Sequence, residues 1–161
     1  MDKKVTFICT GNTCRSCMAE GIFRAAIQKN NELSAFSTIS RGIFAYDGDL
    51  ASSHSIKALK ELWGIDISLH SSKMLFEEDI ISSYLVLTMT RQHRDSLKNQ
   101  YQKYSDRIFT LKEYAYGHEN KEGSELDIRD PYGMPYNEYE RCAQDIFKCV
   151  EALIEKLQKK F

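Results

Sequence analysis

The stretch of this 161-residue chain with the most chemistry in it is Cys9-Thr10-Gly11-Asn12-Thr13-Cys14-Arg15-Ser16. A cysteine, five residues, then arginine and serine is a spacing with a physical use. Such a loop can curl around one tetrahedral dianion, with its backbone N–H groups turned inward and the positive end of a following helix aimed at the same point. Gly11 and Asn12 both tolerate the left-handed backbone angles a tight cradle needs. The planar fork of Arg15 can grip two phosphate oxygens. Thr10, Gly11, Asn12, Thr13, Cys14 and Arg15 are therefore the candidate phosphate-binding residues. At the floor of the cradle, the thiolate of Cys9 would be favoured by the amides, the helix dipole and Arg15. Ser16 can donate one more hydrogen bond to its sulfur. The result is a nucleophile in line with a bound phosphorus.

Transfer of a phosphoryl group also needs a proton for the leaving atom. Asp130-Pro131 follows a long polar stretch, and the proline biases Asp130 toward an extended backbone. A carboxyl held against Tyr132 and facing an anionic cradle suits a group that gives its proton in one step and takes one back in the next. Cys9, Arg15 and Asp130 are thus the catalytic candidates.

The rest of the chain must position these groups. Val5–Ile8 reads as a first strand that runs into the loop. From Ser16 to about Lys29 the apolar residues recur at helical spacing. Phe36–Ser40 is a second strand, ended by Gly42. Ser53–Trp63 reads as a helix closed by Gly64. Tyr84–Met89 is a near-continuous apolar run suited to a strand buried on both faces. Arg91–Tyr101 reads as a polar helix, Arg107–Leu111 as a fourth short strand, and Glu138–Leu157 as a long helix. Strands alternating with helices predict an α/β fold of three layers, a parallel sheet with helices on both faces. Its ligand site lies beyond the strand ends, with the phosphate-binding loop after strand 1. Tyr116–Met134 reads as a long surface loop, a feature more often functional than idle. The chain is expected to form one domain over residues 1–161.

Composition excludes several classes. A formal charge of −1 gives no pull toward nucleic acid or an anionic membrane. The longest apolar runs are far too short to span a bilayer, and no signal peptide is visible. Five cysteines, an odd number, argue for reduced thiols and a cytoplasmic location. His54, His70, His93 and His118 are scattered with no ligand spacing, so they read as surface or packing residues, and no metal or other cofactor is expected.

The loop, continued by Met18-Ala19-Glu20, together with Asp130-Pro131-Tyr132-Gly133, resembles the low-molecular-weight protein tyrosine phosphatases, over nearly the whole chain in length and order. That resemblance implies a four-stranded parallel sheet and a phosphocysteine intermediate on Cys9. It also implies phosphate binding by Arg15 and Asp130 acting as acid and then base. Asn12 and Ser16 would hold the loop in shape, helped by Ser40. The partner would be a phosphorylated protein, and the chain is expected to act as a monomer.

The resemblance also bears on substrate. The family's tyrosine phosphatases commonly carry a bulky aliphatic residue where this chain has Thr13. A branch acting on phosphoarginine carries threonine there, and Met89–His93 and Phe109–Tyr114 look like that branch. A hydroxyl at Thr13 narrows and polarises the pocket, which disfavours a phenyl ring and tolerates a guanidinium. Thr13 and Tyr132 are the candidate selectivity residues. Phosphoarginine is the favoured substrate and phosphotyrosine the alternative. Two departures from the family pattern affect pocket shape and loop rigidity: Cys17 stands where proline is usual, and Arg41 where alanine is usual.

Cys14 lies in the same curled loop as Cys9, so the pair could close a reversible disulfide after oxidation of Cys9. Two rival readings remain. A thiol-dependent arsenate reductase would need two relay cysteines, and Cys142 and Cys149 lie seven apart on a predicted helix, about 10 Å along its axis. A non-catalytic phosphate-recognition module would need neither Cys9 nor Asp130. Tyr132, Tyr136, Tyr139 and Phe44 read either as a partner surface or as packing under the long loop.

Overall fold

The structure is a computed structural model that describes residues 2–117 and 123–160. His118 and the centre of the predicted long loop lie outside the described residues. Four parallel strands, β1 (Lys3–Cys9), β2 (Phe36–Gly42), β3 (Leu85–Thr88) and β4 (Ile108–Thr110), form a sheet in the order β2-β1-β3-β4. The chain passes from β1 to β2 on one side and then to β3 on the other. The strand order therefore reverses at β1, and a crevice opens there beyond the carboxyl ends of the strands. The Cys9–Arg15 loop occupies it.

Alternation along β1 assigns the two layers. Val5 and Phe7 face a large core shared with Leu85, Leu87 and the helices α1 (Arg15–Lys29), α2 (Ser53–Trp63) and α6 (Tyr136–Lys160). Ile8, Val86 and Ile108 face a smaller core with Ile80 of α3 (Glu77–Ile81) and Leu97 of α4 (Arg91–Gln100). β3 is buried at every position, as a central parallel strand should be. The three-layer α/β architecture predicted from the strand and helix runs is the one observed.

Local signals explain most boundaries. Gly64 ends α2 in the left-handed conformation at φ 66°. Ser52 and Thr90 cap α2 and α4 through their side-chain oxygens. Two short helices depart from the expectation. The predicted fourth strand stops at Thr110 because Thr110 and Glu113 form a reciprocal capping box that opens α5 (Leu111–Tyr116). Leu111 therefore begins a helix instead of ending a strand, and α5 takes the start of the predicted loop. α3 lacks a hydroxyl cap; instead the Asp79 carboxylate reaches back to the Phe76 N–H at 3.0 Å.

Candidate active site

The phosphate loop is built around Asn12, the one described non-glycine residue with positive φ, at 59°. Gly11 does not need that freedom. Every polar atom of Asn12 is engaged. Its N–H donates to Cys9 Sγ at 3.3 Å. Its side-chain amide donates to Ser16 Oγ at 2.8 Å and Ser40 Oγ at 2.9 Å, and its Oδ1 accepts from the Lys73 N–H at 3.0 Å. Its carbonyl contacts His70 Nε2 at 2.7 Å and accepts from Ser72 Oγ at 2.9 Å. These contacts explain how a strained backbone angle is held.

The same bonds set a direction. Ser40 Oγ donates to Glu20 Oε1 at 2.6 Å, and Glu20 is paired with Arg24. Asn12 donates to both serines, so the Ser16 hydroxyl, 2.9 Å from Cys9 Sγ, is left to give its proton to the sulfur. Two donors thus converge on Cys9, the arrangement that stabilises a thiolate.

Arg15 is buried, yet it reaches the cleft. Its Nη1 donates to the Ile128 carbonyl at 3.0 Å and its Nη2 lies 3.4 Å from Asp130 Oδ2. Its Nε is buried with no hydrogen-bond partner. The segment carrying Asp130 is tied down in turn. The Ile128 N–H donates to the Met89 carbonyl at 2.8 Å, and Asp127 receives the Arg91 backbone N–H at 2.8 Å and its guanidinium at 3.2 Å. Burial works against the Asp127 carboxylate, but the Arg91 hydrogen bonds prevail and hold it below the usual carboxylate range.

A cleft of about 210 Å³ is lined by Cys9, Thr10, Gly11, Thr13, Cys14, Arg15, Asp130 and Tyr132. The three catalytic candidates and both selectivity candidates therefore share one cleft, while Asn12, Ser16 and Ser40 stand behind it as supports. The surroundings of Asp130 differ from the expectation. Its side chain is 51% exposed, Tyr132 is 77% exposed, and its oxygens meet Arg15 and the Tyr132 N–H at 3.1 Å. A cation and solvent surround the carboxyl here, where the Tyr132 side chain was expected to pack against it.

None of the five cysteines forms a disulfide, and all are buried. Cys14 turns its thiol toward Ser52 Oγ at 3.6 Å and Tyr139 OH at 3.8 Å. Burial and the neighbouring Cys14 push the Tyr139 phenol up to about 12. Cys17 donates to the Cys14 carbonyl at 3.2 Å, filling with a hydrogen bond the helical turn that proline would stiffen. Burial, with the nearby cysteine sulfurs, raises its thiol well above the ordinary value. Arg41 is engaged by Asp79 at 3.2 Å and the Ser40 carbonyl at 2.8 Å and does not line the cleft. Cys142 and Cys149 are buried along the unbroken α6. The four aromatic candidates divide: Phe44 and Tyr132 are exposed, Tyr139 is buried and stacks on His54 at 4.9 Å, and Tyr136 bonds Glu61.

Two histidines expected to be surface or packing residues belong to the site's support. His70 holds the Asn12 carbonyl, and His93 Nε2 lies 3.0 Å from Thr10 Oγ1. No spacing signal marks either one. Among the described residues no group of three histidine, cysteine or acidic side chains could hold a metal ion.

Comparison with known proteins places this geometry. The family profile for low molecular weight phosphotyrosine protein phosphatase matches residues 4–161. The chain is 37% identical over 158 residues to a protein-arginine-phosphatase of Geobacillus stearothermophilus, with 98% of each chain covered. It is 31% identical to the low molecular weight protein-tyrosine-phosphatase PtpB of Staphylococcus epidermidis, covering 93% of this chain and 96% of that one. The crystal structure of a low molecular weight protein tyrosine phosphatase from T. tengcongensis superposes with a TM-score of 0.86 at 45% identity, covering 96% of this chain and 99% of that one. With its cysteine, arginine and aspartate gathered in one cleft at the end of β1, the chain belongs to the low molecular weight phosphotyrosine protein phosphatase family.

Proposed function

We propose that this chain removes phosphate from phosphorylated arginine side chains of proteins through a phosphocysteine intermediate. The Cys9 thiolate attacks phosphorus, and the P–N bond breaks as the S–P bond forms. The leaving guanidine nitrogen takes a proton from the Asp130 carboxyl. Water then attacks the phosphocysteine, Asp130 accepts its proton, the S–P bond breaks and inorganic phosphate leaves. Arg15 supports both steps: its unpartnered Nε–H is a donor that an equatorial phosphoryl oxygen would satisfy. Its contact with Asp130 must loosen when the carboxyl carries its proton, and an arriving dianion competes for the same guanidinium.

The observation that carries the substrate reading is Thr13 in the wall of the cleft that also holds Cys9. The likeness to the Geobacillus arginine phosphatase agrees with it. The exposed Tyr132 ring and the likeness to the T. tengcongensis tyrosine phosphatase favour a second reading, phosphotyrosine. Hydrolysis of a phosphoarginine peptide and a phosphotyrosine peptide side by side, with C9S as the blank, separates them. T13I moving activity toward phosphotyrosine supports Thr13 as selector. A wild-type preference for phosphotyrosine overturns the arginine reading and leaves the cysteine mechanism standing.

Reversible oxidation belongs to the same reading. Cys14 would capture an oxidised Cys9 as a disulfide, and its thiol must first turn away from Ser52 and Tyr139. Wild-type enzyme inactivated by peroxide should recover with dithiothreitol, whereas C14S should recover much less; equal recovery removes Cys14 from the process. A cytoplasmic location and a monomeric state complete the proposal. Among the described residues no helix is long and apolar enough to cross a membrane. Localisation imaging and light scattering test these two points.

A further inference from the structure

Thr10 is exposed in the cleft wall, and its hydroxyl can either donate or accept. Its partner is His93 in the first turn of α4, with Nε2 at 3.0 Å. The His93 backbone N–H is itself held by Thr90 Oγ1 at 3.2 Å, which fixes where the ring starts. The other ring nitrogen, Nδ1, is buried with no hydrogen-bond partner.

The two neutral tautomers differ in what they leave unmatched. With the proton on Nδ1, a buried N–H donor has no acceptor, a rare and costly state. With the proton on Nε2, only a lone pair is unmatched, in a field that includes the Arg15 guanidinium. We infer that His93 is a positioning residue of this enzyme: it holds its proton on Nε2, donates it to Thr10 Oγ1, and so leaves the Thr10 hydroxyl hydrogen free to point at a phosphoryl oxygen. A threonine that could bond either way becomes a dedicated donor to the substrate.

The ring stays neutral while it does this. Burial, and then the charge of Arg15, lower His93 to about 4, against the opposing pull of Asp127 and Asp130. The tautomer is therefore preserved across the neutral range. The role of Thr10 rests on the phosphatase reading; the tautomer does not.

Two measurements on the full chain test this. In a long-range proton–nitrogen correlation spectrum of uniformly labelled protein at pH 7, the ring signals lost in H93Q should show the Nε2–H pattern; an Nδ1–H pattern overturns the proposal. Separately, kcat/KM and inhibition by inorganic phosphate are compared for wild type, H93A, H93Q, T10V and the T10V/H93A pair. H93A should weaken phosphate inhibition about 10-fold, the value of one charge-assisted hydrogen bond. H93Q, whose amide can donate over the same gap, should recover to within about 3-fold, and H93A should add little on top of T10V. Independent effects that multiply in the double variant refute the coupling. If the wild type hydrolyses neither peptide, the phosphatase reading falls and takes the role of Thr10 with it, while the spectrum still decides the His93 tautomer.

Discussion

Replacing Gly42 by alanine tests whether the phosphate loop is held by close backbone packing. Gly42 ends β2 and pairs with Cys9. A Cβ added there would lie 2.7 Å from the Thr10 carbonyl oxygen, 2.8 Å from Ala45 Cβ and 3.0 Å from the Asn12 nitrogen. Ordinary contact starts at 3.4 Å, so about 0.7 Å must be found at the Thr10 carbonyl. A flexible side chain could yield that easily. Here two of the three atoms are loop backbone, the Thr10 carbonyl already accepts the Phe44 N–H at 2.9 Å, and Asn12 is bonded on every side. Overpacking of this kind costs about 1–3 kcal/mol. A reacting centre displaced by about 1 Å loses about 100-fold in rate. G42A should therefore fold with a lower urea midpoint and show kcat/KM about 10- to 100-fold below wild type. The loss should be similar for a phosphoarginine peptide and for p-nitrophenyl phosphate, because the damage lies at the cradle and not in substrate choice. A G42A enzyme within about twofold of wild type, with an unchanged midpoint, would refute this account of the loop.

Three further outcomes follow from the same structure. D127A frees the segment that Arg91 and Met89 anchor, so kcat should fall about 10-fold with a stability loss of at most about 1 kcal/mol, since the Arg91 pair is partly exposed; steady-state kinetics with an unchanged kcat would show that the clamp is dispensable. F23A removes the fully buried ring between Phe7 at 5.8 Å and Phe36 at 6.4 Å and should cost about 3–5 kcal/mol in urea unfolding; a cost under about 1 kcal/mol would contradict the packing. His93 binds a proton in the unfolded chain below its ordinary 6.5 but in the folded chain only below about 4. Its contribution to stability is therefore present above pH 6.5 and lost as the pH falls through that window. The stability of H93Q should decline less steeply than wild type between those values, and equal slopes would place the ring in solvent.

Contiguity explains what was legible before the structure. The cradle is a run of neighbouring residues, so Cys9, Arg15 and the loop between them could be read together, and their chemistry follows from residue type and spacing. The apolar runs of β1 and β3 and the periodic faces of α1, α2 and α6 likewise announce the three layers. The α5 start was readable too, as a threonine and a glutamate at capping distance, but the apolar Leu111 made the strand appear one residue longer.

Other parts had no local signature. His93 meets Thr10 across 83 residues, Arg15 meets the Ile128 carbonyl across 113, and His70 meets Asn12 across 58. Each reads as an ordinary polar residue until the sheet brings β1 beside β3 and the Asp130 segment over both. The solvent around Asp130 and the outward turn of Tyr132 were likewise decided by packing. By itself the sequence singled out the candidate nucleophile, the candidate cradle and the fold class, because hydrogen-bonding geometry and hydrophobic periodicity act over a few residues. Only the tertiary structure decided which distant side chains direct the protons around that cradle, because donors and acceptors pair by proximity in space, without regard to their separation along the chain.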